Sequence, residues 1–114
     1  MANICCVNYK FSSTDKDAVE KLHKVINDAL GDELYLGYLD FAKKLGMSID
    51  GVGIRGDIDS TEDVYQIGAS YTLDVYCEDD WSPCADFWLA VIDHLGLSDS
   101  VHMSCITEHN YQSA

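Results

Sequence analysis

The sequence predicts an α+β domain, a sheet of antiparallel strands with helices on one face, and three stretches carry that prediction. Residues 67–78 alternate, with Ala69, Tyr71, Leu73, Val75 and Cys77 set against Ser70, Thr72, Asp74, Tyr76 and Glu78. A period of two is a strand with one wet face. Residues 82–95 open with Ser82-Pro83, a hydroxyl cap followed by proline at the first helical position. Cys84, Phe87, Trp88, Val91, Ile92 and Leu95 then recur at helical spacing, and Gly96 stands where a helix closes. Residues 14–30 repeat that pattern, with Thr14 as cap and Val19, Leu22, Val25, Ile26, Ala29 and Leu30 as one stripe ended by Gly31.

The remaining elements follow in chain order. Residues 2–11 (ANICCVNYKF) read as a first strand that turns Cys5, Val7, Tyr9 and Phe11 inward and Cys6, Asn8 and Lys10 outward. Asp17 completes a capping box with Thr14, and Asp15 favours the positive end of that helix. Tyr35, Tyr38, Leu39, Phe41, Ala42 and Leu45, before Gly46, fit a short helix covering one edge of the core. Gly51, Gly53 and Gly56 weaken any strand, but Ile54 and Ile58 support a short edge strand that turns at residues 60–63 into the 67–78 strand. Residues 101–107 make the last strand and 108–114 a polar tail. The order β-α-(α)-β-β-α-β over a single domain, residues 1–114, is economically satisfied by a ferredoxin-like plan: four antiparallel strands with two main helices on one face. Strands one and three are then central. Asn8, Thr72, Asp74, Tyr76 and Glu78 line the open face, with Asp57 or Asp59 nearby.

The 114 residues are enough to bury a core without staples. No apolar run approaches a membrane span, and the N-terminus lacks a basic n-region and an h-region, which predicts a cytoplasmic protein. Five cysteines, an odd count on predicted strands and a helix, read as small buried hydrophobes rather than a disulfide framework.

Charge is the extreme feature, a formal net of −13. Residues 45–114 carry thirteen acids against Arg55 alone, whereas residues 1–44 carry seven acids against six lysines. Nucleic acid and anionic membranes are poor partners for such a chain; a basic protein that grips phosphates is a fitting one. Asp57, Asp59, Glu62, Asp63, Asp74, Glu78, Asp79 and Asp80 all fall on the hairpin or the turn leaving it, and Trp81 beside them has the character of an interface anchor. The plain alternatives are a solvated surface that keeps the protein soluble and a tryptophan tucked under the helix.

Other chemistries find little support. His102, Cys105, Glu108 and His109 have a zinc-like spacing, but on a strand His102 and Cys105 point to opposite faces. An EF-hand frame on Asp57 and Asp59 puts Glu62 at the glycine position and Gly68 at the twelfth. There is no P-loop, nucleophile elbow or dinucleotide fingerprint, so no metal or other cofactor is expected. Cys84 near a helix N-terminus is the best thiolate candidate, yet Asp79, Asp80 and Asp86 around it push its pKa up. Asp74 and Glu78 beside Tyr76 oppose RNA stacking on the sheet.

The pattern IRGDI…TLDVYCEDDWSPCADFWLAVIDHLGL…EHN resembles the YubB-like, ferredoxin-like family of small phage and plasmid proteins. Arg55-Gly56, Trp81-Ser82-Pro83, Trp88, Glu108 and Asn3-x-Cys5 carry the likeness. The tryptophan-rich hairpin segment of many members is absent, and Glu108-His109-Asn110 replaces a Glu-Pro-Gly-like ending. The resemblance implies a mobile-element origin and an α+β sheet, and it carries over no catalytic residues. Together with the charge it yields the expected function: a non-enzymatic inhibitor of a basic, nucleic-acid-handling host defence protein. The concrete form is an anti-CRISPR or anti-restriction protein with a nucleic-acid-mimicking acidic surface. The rivals are a small enzyme or ligand-binding domain using a cleft between sheet and helices, and a self-assembling protein whose sheet face pairs in a homodimer.

Overall fold

The structure, a computed structural model, describes residues 4–48, 55–80 and 84–108. In chain order these form β1 (Ile4–Ser13), α1 (Lys16–Leu30), β2 (Leu36–Gly37), α2 (Tyr38–Lys44), β3 (Gly56–Thr61), β4 (Tyr65–Ile67), β5 (Ser70–Asp80), α3 (Ala85–His94) and β6 (His102–Glu108). The class is α+β, as the periodicities require. The sheet has six strands rather than the expected four, in the order β2-β3-β5-β1-β6, with β4 paired to β5 beyond the end of β3. Every pairing is antiparallel.

Strands β1 and β5 are interior, and their register puts Val7 opposite Cys77, Tyr9 opposite Val75 and Phe11 opposite Leu73. These six side chains are buried. They face the helices: Trp88 of α3 lies against Tyr9 and Phe11, with ring centroids 5.7 and 5.4 Å apart. From α1, Ala18, Val19, Leu22, Ile26, Ala29 and Leu30 join the same core. The helix layer is cross-tied at its ends. Lys21 Nζ donates to the Leu95 carbonyl at 3.0 Å, Lys44 Nζ to the Ala29 carbonyl at 2.8 Å, and the His94 ring meets the Leu45 carbonyl at 2.8 Å.

Several expectations shift. The cap of α1 is Asp15, not Thr14, because β1 runs on through Ser13. The Asp15 carboxylate accepts from the Asp17 N–H at 3.1 Å. Helix α3 starts at Ala85 with Cys84 as N-cap, and the expected Ser82-Pro83 cap lies outside the described residues. The stretch before α2 is β2, two residues pairing Leu36 with Ile58 and Gly37 with Asp57. This extended start leaves Tyr35 61% exposed, and Leu39 also points outward; neither belongs to the core. Ile54 of the expected edge strand is outside the described residues, and that strand, β3, begins at Gly56. Residues 65–67, of which only Ile67 was expected in a strand, form β4. A two-residue turn at Gly68, whose φ of 59° suits glycine, reverses the chain into β5. Of the cysteines, Cys5 and Cys77 are buried, Cys6 and Cys84 half-buried, and Cys105 exposed, because edge strand β6 is only partly covered by helices.

Trp88 is wholly buried and touches the rings of Tyr9, Phe11, Tyr38, Phe41 and Phe87. Trp88→Ala is expected to cost about 3–5 kcal/mol in urea unfolding, the usual range for emptying a tryptophan site. A loss under about 1 kcal/mol would contradict this packing.

Candidate partner-binding surface

Because side chains alternate along β5, its even residues face away from the helices. Asp57 of β3 stands directly across from Glu78 of β5. The register slips between Ile58 and Ser60, a bulge at Asp59 that brings this carboxylate beside Glu78. Asp57 in turn feels Asp80. None of Asp57, Asp59, Glu78 and Asp80 lies within ion-pair distance of a cation among the described residues.

The crowding shows in the titration of Asp57 and Asp59. Burial, then the neighbouring charges of Asp80 and Asp79, raises the Asp57 carboxyl above its usual range. Burial, then Glu78 and Asp57, does the same to Asp59, and a hydrogen bond to Glu78 adds to the rise. Like charges opposite one another on a sheet destabilise it.

The structure brings only part of the expected set of residues together. Glu62 and Asp63 are exposed in the connection from β3 to β4, away from the Asp57–Glu78 pair, and Glu62 accepts from the Tyr76 hydroxyl at 3.4 Å. Asp74 and Asp79, expected at the surface, are not there. Asp74 is only 5% exposed: Lys10 Nζ reaches it at 2.8 Å and the Tyr65 hydroxyl at 2.9 Å, so its charge is answered on the sheet. The hydrogen bond to Asp74 holds the Lys10 ammonium pKa up. β4, which the periodicity reading missed, supplies that tyrosine.

Asp79 is fully buried on the helix side. It accepts from the Tyr9 hydroxyl, from the Tyr38 hydroxyl at 2.5 Å and from the Cys84 N–H at 2.9 Å. Two readable signals pointed there. The alternation of Leu73, Val75 and Cys77 continues to 79, and core tyrosines need an acceptor. Trp81, the expected anchor, lies outside the described residues.

Between β1, β5 and β6 the open face also forms a groove of about 380 Å³, lined among others by Cys6, Asn8, Lys10, Asp59, Tyr76 and Ile106. The Asn8 Oδ1 is buried and has no hydrogen-bond partner among the described residues. Ile106 is 54% exposed at its rim. No group of three His, Cys, Asp or Glu side chains among the described residues converges as a metal site would. The Cys84 thiol is pushed up by burial, with Asp79 and Asp80 adding to the rise, which disfavours the thiolate a nucleophile needs.

No protein-family model and no curated protein matches the chain. Among solved structures, one titled "De novo designed protein Foldit4" is similar at 10% identity and a TM-score of 0.47, covering 95% of this chain and 99% of that one.

Two outcomes follow from this geometry. Asp79→Ala leaves two buried hydroxyls without their acceptor and the Cys84 N–H with only the Tyr9 hydroxyl oxygen at 2.9 Å, and is expected to cost about 3 kcal/mol or more in urea unfolding. A loss below about 1 kcal/mol would show the network to be dispensable. Asp59→Asn should act in the opposite direction. The folded protein holds the Asp59 proton more tightly than the unfolded chain, so the ionised group destabilises the fold above its raised pKa. That effect fades as pH falls through the raised pKa and is gone below the ordinary value of 3.8. The variant should thus have a higher urea midpoint than the parent at neutral pH and an equal one near pH 3. A lower midpoint at neutral pH would contradict the reading.

Proposed function

We propose that the protein is a non-enzymatic binding protein that presents its open sheet face to a basic, nucleic-acid-handling protein and blocks its phosphate-gripping groove. One observation carries the reading. Asp57, Asp59, Glu78 and Asp80 crowd together without a cation in ion-pair reach among the described residues, at a cost in stability that a fold under selection for stability alone would relieve. A fixed row of carboxylates on rigid strands complements a basic groove and speeds encounter with it. The YubB-like resemblance gives the concrete form: a phage or mobile-element inhibitor of host defence, anti-CRISPR or anti-restriction, acting in the host cytoplasm. No described helix is long and apolar enough to cross a membrane. We read the order β6-β1-β5-β3 as the ferredoxin-like unit of that family, to which β2, β4 and α2 are added.

Affinity capture from a host lysate, followed by DNA displacement from the retained protein, tests the function. The parent should displace DNA, and its affinity should fall steeply with salt, since exposed charges are screened beyond about 8–10 Å. Replacing Asp57, Asp59 and Asp80 by Asn and Glu78 by Gln should weaken binding at least about tenfold, mainly through the on-rate, without loss of stability. Retention of the same partner by this variant with unchanged salt dependence would overturn the proposal and leave the acidity as a solubility device.

A further inference from the structure

We infer that the groove on the open face is a seat for a guanidinium group, the side chain of an arginine presented by the basic partner. This rests on the acidic-face reading above and names the group that face recognises.

The groove offers an acceptor, a carboxylate and an aromatic wall together. Asn8 lines it, and the buried Asn8 Oδ1 has no partner among the described residues, so a donor arriving from outside would satisfy it. Asp59 lines it too, with Glu78 beside it, and a cation would relieve the repulsion between them. Tyr76 forms a wall, its hydroxyl directed to Glu62 at 3.4 Å, and Ile106 adds an apolar rim. Lys10, the cation of the groove, is already held by Asp74 at 2.8 Å and does not answer Asp59.

A point charge fits this arrangement less well than a planar one. The acceptors do not converge as metal ligands do. Guanidinium carries five N–H donors in a fixed fork and stacks on aromatic rings, so it can reach a carboxylate and an amide oxygen while lying on Tyr76. An ammonium bonds through one compact centre and gains less from the ring. A volume of about 380 Å³ is within the range of ligand pockets and leaves room for the stem of the side chain.

The test is a titration of the full chain, followed by amide NMR, with the peptide acetyl-Gly-Arg-Gly-Arg-Gly-amide and its lysine and citrulline counterparts at near-physiological salt. The arginine peptide should bind about tenfold more tightly than the lysine peptide, the size of one charge-assisted hydrogen bond. It should shift Asn8, Tyr76 and Ile106, and the uncharged citrulline peptide should not bind. Asn8→Ala should erase most of the arginine preference and leave lysine-peptide affinity unchanged. Tyr76→Leu should do the same, and serves if the first variant does not fold. Equal binding of arginine and lysine peptides, or shifts confined to residues outside the groove, would overturn the pocket while leaving the acidic face intact. Binding of neither cationic peptide would remove both. An arginine preference that persists in the variants would also overturn the pocket.

Discussion

A buried carboxylate holds the helix layer to the sheet. Asp79 sits at the end of β5, fully buried, and takes hydrogen bonds from Tyr9 of β1, Tyr38 of α2 and the backbone N–H of Cys84 at the head of α3. Tyr38 in turn accepts from the Trp88 indole at 3.2 Å. Burying a lone carboxylate is costly, and three donors offset the cost while fixing where α2 and α3 begin. Tyr9 and Tyr38 stay protonated donors because burial foremost, with Asp79 adding to it, raises both phenols far above their ordinary range. Room for this arrangement comes from Gly56 in the neighbouring strand. A Cβ there would come within 2.6 Å of the Asp79 carboxylate and 2.7 Å of the Tyr38 ring. Larger side chains are excluded at that position for a packing reason, not a turn.

Around this network lies a cluster of aromatic rings. Tyr38 stacks on Phe87 at 4.5 Å, and Trp88 meets five rings at tilted or edge-on angles. Such pairs add to area burial through their quadrupoles, so the cluster favours one arrangement over a loosely packed alternative. Polar contacts and aromatic packing thus act on the same residues. Removing either disturbs both.

The same strand that anchors the core also shapes the outer face. Asp79 points inward, while Asp74, Glu78 and Asp80 lie on the other side, one of them neutralised by Lys10 and two left beside Asp57 and Asp59. Acidity in this chain therefore has two physical roles. Part of it is buried and structural, and the remainder forms a field on which the proposed partner binding depends. Sequence counts cannot separate the roles, because each aspartate contributes the same formal charge.

Local pattern alone determined much of the framework. The alternation of β1 and β5 chose which side chains enter the core, and the stripes of α1 and α3 chose the helix faces, since these periodicities follow from backbone geometry within one segment. The wet face carrying Tyr76 and Glu78, with Asp57 or Asp59 nearby, was legible for the same reason. Tertiary structure decided the rest. β2 and β4 are two and three residues long, too short for a period, and exist because β3 and β5 offer them hydrogen bonds. The burial of Asp79 depends on hydroxyls 70 and 41 residues away in the chain. The groove depends on a bulge at Asp59 and on β6 returning beside β1. Each of these is a meeting of distant segments, and no local window contains it.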